Sequence, residues 1–329
     1  MRRNVSLIFF FIFVGILGGC AQTPEVSRQP QMGNLLLAEP APVNPRSEMA
    51  IARYNQILGS SALSDEDKAE LHLQRGMLYD SVGLGGLAQF DYSQAINLKP
   101  DFAEAYNSMG IHYIQQSDFI QAYDSFDSTL EINPEYDFAF LNRGIALYYG
   151  GRSELAIEDL GRFLQKDNSD PFRALWAYFA HYDLSPEEGQ AYLAAIRPEL
   201  NNEHWATTLT DLFLGVVDEN AVLNSLLDGV KSQKALTDRL CEAYFYLGKY
   251  HSQDGNNGIA SNYFKLALST NVFDYVEHRY ARMELNRLRQ RSSDAVTLQR
   301  LDNAWINISD NSAVADSGRQ RPLHAAVSA

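Results

Sequence analysis

The chain has 329 residues, enough for two domains or one long array, and a hydrophobic content of 46% that excludes wholesale disorder. Its formal net charge of −14 makes nucleic acid a poor partner, because phosphates would be repelled, and suits a well-solvated surface. Two cysteines, Cys20 and Cys241, build no disulfide framework, and Cys241, set in a helical apolar pattern, reads as a small buried hydrophobe and not as a catalytic thiol.

In chain order, residues 1–19 form a lipoprotein signal peptide. Arg2 and Arg3 supply the positive end, and the apolar run from Val5 to Leu17 is short for a mature membrane span. Leu17-Gly18-Gly19-Cys20 resembles the lipobox of bacterial lipoproteins. The resemblance implies lipid attachment at Cys20 as an N-acyl and S-diacylglycerol group, with no other cofactor expected. In enterobacterial-type sorting an Asp after this Cys retains the protein at the inner membrane; Ala21 stands there instead, which favours the outer membrane with the body facing the periplasm.

Residues 20–46 read as a tether rich in proline, at Pro24, Pro30, Pro40, Pro42 and Pro45. Leu35-Leu36-Leu37 interrupts it, either docked on the body or exposed. A first helix is expected over 47–59, capped by Ser47, with Met49, Ala52, Tyr54, Ile57 and Leu58 as its apolar stripe. It either caps the helical array or contacts a second copy.

From residue 69 a pattern recurs every 34 residues. Gly76, Gly110 and Gly144 keep that interval, as do Ala88, Ala122 and Ala156, Tyr79 and Tyr113, Tyr92 and Phe126, and Pro100 and Pro134. Leu147 and Leu160 take the third aromatic places. Small residue, aromatic, Ala, aromatic, Pro in one register is the tetratricopeptide signature. Each unit is two antiparallel helices: Gly and Ala where they cross, aromatics beside them, and Pro ending the second helix. One unit cannot bury its apolar face alone, so units stack. The fold class is therefore all-α, a tetratricopeptide-repeat helical solenoid over 47–305, with a concave inner surface of the kind that binds proteins or peptides. Repeats fall at about 69–102, 103–136 and 137–170, with degenerate units over 171–240, a recovered unit over 241–274 (Tyr244, Gly248, Ala260, Phe264) and closing helices over 274–305. Residues 306–329 are small and polar and read as a disordered tail.

Helix starts are expected at Ser64 with Asp67, at Asp101 with Glu104, at Ser153, and at Ser185-Pro186-Glu187-Glu188. The glycine-rich run from Gly83 to Ala88 matches a dinucleotide-binding pattern on paper, but no strand precedes it and the repeat explains its place.

The inner wall should come from the first helix of each unit, beside the signature Gly. A partner-binding groove would then be lined by Leu73, Met77 and Asp80, by Asn107, Ile111 and Ile114, and by Leu141, Ile145 and Tyr148. The alternative filler of that wall is a terminal helix of the chain itself. Asn107, Asn142 and Arg143 fit part of a carboxylate clamp, but its lysines are missing. Arg279, Arg282, Arg287, Arg289 and Arg291 form a basic run, which reads as a solvated helix face or as a dock for an acidic partner or another part of the array. The seven His are scattered, without zinc spacing, and no nucleophile elbow occurs, so neither a metal site nor an enzyme is expected; His278 reads as a packed or surface histidine.

The segment from Leu141 to Arg152 resembles the third repeat of the NlpI family of enterobacterial outer-membrane lipoproteins, as do Asp170-Pro171-Phe172-Arg173, Tyr246-Leu247-Gly248-Lys249-Tyr250 and Val276-Glu277-His278-Arg279-Tyr280-Ala281. The likeness covers about residues 47 to 288 and the lipobox; the C-terminal tail has no counterpart in it. It implies a homodimeric adaptor that brings a periplasmic C-terminal processing protease (Prc) to murein endopeptidases such as MepS and scaffolds other peptidoglycan hydrolases, raising their effective concentration. The other readings are a tetratricopeptide lipoprotein of a pilus, secretin or outer-membrane-protein assembly, and an enzyme in its own right.

Overall fold

The structure is a computed structural model that describes residues 36–293, apart from 38, 60, 61 and 292. The signal peptide, the lipidated Cys20, most of the tether, the end of the closing segment and the tail lie outside the described residues.

Helices follow one another throughout, and no strand occurs among the described residues. They are α1 (Pro45–Leu58), α2 (Asp65–Ser81), α3 (Gly85–Leu98), α4 (Ala103–Gln115), α5 (Phe119–Ile132), α6 (Asp137–Tyr149), α7 (Ser153–Gln165), α8 (Pro171–Leu184), α9 (Pro186–Ile196), α10 (Thr207–Phe213), α11 (Glu219–Ser225), α12 (Gln233–Gln253) and α13 (Asn257–Ser269). A last helix, α14, runs over 276–291. The pairs α2–α3, α4–α5, α6–α7, α8–α9 and α12–α13 are hairpins, and α3 packs on α4, α5 on α6 and α7 on α8. This is the stacked-pair architecture of tetratricopeptide proteins, all-α as the 34-residue period requires.

The crossing points explain the period. A Cβ added at Gly76 would lie 2.6 Å from the Tyr92 ring, at Gly110 2.6 Å from Phe126, and at Gly144 2.7 Å from Leu160. Gly248 repeats the geometry against Phe264 at 2.6 Å. Ala88, Ala122, Ala156 and Ala260 sit fully buried at the facing positions. Between units the core is continuous: Ala69, Leu73, Ala88, Tyr92 and Ala95 of the first pair pack with Phe102, Ala105 and Met109 of the second.

A second device recurs in alternate repeats. Arg75 Nε and Nη2 donate to both oxygens of buried Asp91 at 2.7 and 2.6 Å, and Arg143 does the same with Asp159 at 2.7 and 2.8 Å. The corresponding residues of the middle repeat are Met109 and Ser125. Burial pushes the Asp91 carboxyl up, but Arg75 and His72 outweigh it and hold the group below its ordinary value. Arg75 Nη1 also donates to Asn55 at 2.6 Å, tying α1 to α2.

Several helix starts differ from expectation. Ser64 does cap α2, accepting from Asp67 N–H at 3.1 Å, and Ser185 caps α9, accepting from Glu188 N–H at 3.0 Å. At α1, however, the cap is Asn44, followed by Pro45, and not Ser47. At α4 it is Phe102, with no side-chain bond, so Asp101 and Glu104 form no box. Ser153 falls inside α7 and donates to Asp183 at 2.5 Å. At α1 Asn44 with Pro45 at the first helical position starts the helix ahead of Ser47, and at α4 and α7 the turn the repeat imposes overrules a residue that fits a cap locally. The glycine-rich run is such a turn: Gly83 adopts φ +78 and lies against Phe273, and α3 starts at Gly85.

Residues 197–232 depart from paired helices, giving a short 3-10 turn and the brief α10 and α11, with Gly215 and Gly229 at positive φ. The N-terminal described segment crosses the other end of the array. Tyr244 donates to the Leu36 carbonyl, Thr237 Oγ1 to the Glu39 carbonyl at 3.1 Å, and Ala41 N–H to the Thr270 carbonyl at 2.7 Å. Leu36 is half-buried there, while Leu37 is exposed.

The crossing geometry gives a paired expectation. Gly110→Ala drives a methyl into the Phe126 ring and destabilises the chain by about 1–3 kcal/mol. Gly161→Ala, in α7 with open space around it, stabilises by roughly 0.5–1 kcal/mol. Chemical denaturation of the two variants measures both; equal effects would remove the crossing argument.

Candidate docking groove and its closing helix

The wall formed by α2, α4, α6 and α8 is where a partner was expected, and α14 lies against it. The structure places the nine predicted groove residues unevenly. Leu73, Ile114 and Ile145 are sealed in the interior, and Leu141, Asn107 and Tyr148 are buried. Ile111 is half-buried and Met77 exposed. Asp80 accepts from the Tyr92 hydroxyl at 2.8 Å and faces His112 Nε2 at 3.1 Å. Most of this set therefore packs against the chain's own helices, because stacking turns those side chains inward. Asn142 donates to Asn107 at 3.0 Å, and Arg143 is held by Asp127 and Asp159. The residues that resembled a carboxylate clamp are thus spent on one another and on helix pairing.

The closing helix is anchored by a buried polar cluster. Lys249 on α12 donates from Nζ to Glu284 on α14 at 2.6 Å and to the Tyr148 hydroxyl at 2.7 Å. Tyr149 donates to the same carboxylate at 2.9 Å. The Lys249 and Glu284 side chains are only 5% and 4% exposed, so this is a desolvated ion pair and not a surface one. Lys249 Nζ also lies 4.6 Å from the Phe179 ring centroid, and the Arg287 guanidinium lies 5.4 and 5.2 Å from those of Tyr148 and Tyr149. Burial alone would raise the Glu284 carboxyl and lower the Lys249 ammonium. Lys249 and Arg287 on one side, and Glu284 on the other, reverse both, so the pair stays charged.

Apolar packing surrounds the cluster. Tyr280 meets Tyr149 and Trp176 at ring distances of 5.4 and 6.0 Å, and Trp176 meets Phe245 at 5.9 Å. Tyr246 stacks on Phe172 at 5.4 Å and donates to Glu277 at 3.1 Å. His278 Nε2–H donates to the Leu268 carbonyl at 3.1 Å, and burial lowers its pKa. Cys241 is buried with its thiol against the Ala267 carbonyl, and burial pushes the thiol well up. Among the described residues no group of three or more His, Cys, Asp or Glu is placed to hold a metal ion.

Sequence reasoning missed Lys249 and Glu284. They are 35 residues apart, and each reads as an ordinary charged helix residue. The available signal was positional: Lys249 directly follows the signature Gly248, on the side that faces the groove.

No family model matches the chain. Solved structures with a similar fold include YrrB, described as a TPR protein with an unusual peptide-binding site, at 16% identity, covering 70% of this chain and 97% of that one with a TM-score of 0.39. A tetratricopeptide repeat protein from Parabacteroides merdae matches at 14% identity, 74% and 91% coverage and a TM-score of 0.45. MamA from Desulfovibrio magneticus matches at 15% identity, 62% and 95% coverage and a TM-score of 0.38. The repeated helix pairs described above are of the tetratricopeptide type, and these likenesses concern the fold alone.

Removing one member of the buried pair strands the other. Lys249→Met is expected to cost about 3–5 kcal/mol, whereas Lys249→Met with Glu284→Leu recovers most of it. Urea unfolding reads the stability, and faster trypsin cleavage after Arg287 reads release of α14. A stable, protease-resistant single variant would show that the pair does not hold the helix.

A second carboxylate sets a pH dependence. Burial, with Glu277 and Asp238 nearby, pushes Glu242 up to about 9 from 4.5. The folded chain then keeps a proton that the unfolded chain releases, so this contribution is whole below pH 4.5 and is lost as pH rises toward 9. The urea midpoint should fall between pH 5 and pH 8.5, and Glu242→Gln should flatten that fall. An unchanged slope in the Gln variant would place its origin elsewhere.

Proposed function

We propose that this chain is an NlpI-type lipoprotein, held at the outer membrane by N-acyl and S-diacylglycerol lipid on Cys20 and facing the periplasm as a homodimer. It acts as an adaptor that brings a C-terminal processing protease to murein endopeptidases and other peptidoglycan hydrolases, and so regulates their turnover during cell-wall growth and division. It performs no reaction itself.

One observation carries the reading. The four segments on which the family likeness rests are far apart in sequence, yet they meet at one junction. Tyr148 and Tyr149 come from the first, Phe172 from the second, Tyr246 and Lys249 from the third, Glu277 and Tyr280 from the fourth, and all are joined by the stacking and hydrogen bonds above. Residues that resemble one family in four separate places and pack on one another point to a shared way of closing the array. An adaptor of this kind works by holding two partners near each other, which asks for a rigid surface and not for reactive groups.

The test is affinity capture of the tagged full chain from detergent-solubilised envelope, with bound proteins identified by mass spectrometry. A processing protease together with at least one murein endopeptidase is expected, and loss of the gene should let that endopeptidase accumulate. If pilus, secretin or barrel-assembly components came down in their place, the chain would belong to that assembly and the adaptor reading would fail.

A further inference from the structure

The basic run on α14 is divided by burial. Arg287 turns inward over Tyr148 and Tyr149. Arg282, Arg289 and Arg291 are exposed, and Arg279 is half-buried. Arg279, Arg282, Asn286 and Arg289 follow helical spacing along one face. Among the described residues neither Arg282 nor Arg289 takes part in an ion pair, while Arg287 acts by charge on Glu284 and Arg279 on Asp274 and Glu277. Arg75, Arg143 and Arg197, by contrast, each grip a carboxylate with two nitrogens. Arg279, Arg282 and Arg289 thus put three guanidiniums on one helix face of a chain whose net charge is −14.

Two cavities open beside this face. One, of about 510 Å³, sets Asn286, Arg287 and Arg289 against Phe119, Tyr149 and Met283. The other, of about 190 Å³, sets Arg279 and Arg282 against Phe273 and Gln115, with Asp80 also in its lining. Each combines cationic donors with apolar or aromatic surface, which is the chemistry that holds a carboxylate next to an apolar side chain.

We propose that this face of α14 is a docking site for an acidic, extended segment of a partner protein. Arg282 and Arg289 are seven residues apart, about 10 Å along a helix. That distance matches one turn of a polyproline-II-like extended chain, about three residues and 9 Å, which brings side chains three apart to the same face, so two carboxylates at that spacing reach both guanidiniums. An apolar side chain between or beside them enters the larger cavity. The ligand is short and carries few charges. A polyanion or an anionic membrane would also lay charge against the acidic remainder of the surface, whereas a short segment confines its charge to the α14 face. The inference deepens the scaffold reading, since it specifies the chemistry of one partner contact.

Fluorescence anisotropy of the full chain in detergent tests it, with a short labelled peptide containing Glu at positions three apart and one Phe. Binding should weaken as salt rises. A peptide with Gln in place of Glu should bind at least tenfold more weakly, and Arg282→Glu with Arg289→Glu should lose binding of the Glu peptide and gain binding of a Lys counterpart. Both positions are exposed, so the variant should keep its thermal melt, which circular dichroism checks. Equal binding of the Glu and Gln peptides, an indifferent double variant, or tighter retention on phosphatidylglycerol vesicles than on the peptide would each overturn the proposal. If the peptide binds as expected but no protease or hydrolase is captured from the envelope, the adaptor reading falls and the docking site stands. If capture succeeds and the double variant captures equally, the docking site alone falls.

Discussion

Two helices can lie close enough to share one layer of side chains only if one of them presents almost nothing where they cross. In this protein that absence is Gly76, Gly110, Gly144 and Gly248, each covered by a ring or a leucine from the paired helix. Everything else depends on that approach. It fixes the hairpin angle, which turns Leu73, Ile114 and Ile145 into the interior and leaves the other face of each pair to meet its neighbour. The Arg75–Asp91 and Arg143–Asp159 pairs then lock two of the hairpins at their flanks, where a buried carboxylate is tolerated because two nitrogens hold it.

A stack built this way has an inner wall that must be covered or wetted. Here α14 covers the part formed by α6 and α8, and the cover is fixed by charge. A purely apolar helix could slide by a turn with little loss. A buried ammonium bonded to one carboxylate and one phenol cannot, because any other register leaves a charge without a partner in a dry site. The Lys249–Glu284 pair thus acts as a register pin, with Tyr280 and Trp176 supplying the contact area around it.

The repeat was legible because it is periodic: the glycines, alanines and aromatics share one interval, and no local accident produces that. The inner wall was legible as a surface but not as a buried one, since nothing in Leu73 or Ile145 says whether a partner or the chain itself will cover it. The cap at Ser47 was misread because Asn44 and Pro45 start α1 ahead of it, and those at Asp101 and Ser153 because capping propensity is local, whereas the starts of α4 and α7 are set by the preceding turn and by the unit each must pack on. The basic run from Arg279 to Arg291 read as one feature, yet helical periodicity sends Arg287 inward and its neighbours outward. Only the position of the covering helix decides which is which. The identity of the anchoring pair was hidden for the same reason, its partners being joined by topology and not by spacing.

The chain's early residues are hydrogen-bonded to its late ones. The stretch from Leu36 to Ala41 runs across α12 and the end of α13, and Phe273 closes over Gly83 of the first hairpin. Arrays of repeats ordinarily peel from their free ends, one unit at a time, with each end unit the weakest. Fastening the first described residues to α12 and the end of α13 removes one place where peeling starts. Loss of any one hairpin then loosens a closed circuit, and thermal disruption should proceed as one concerted event rather than as a graded fraying.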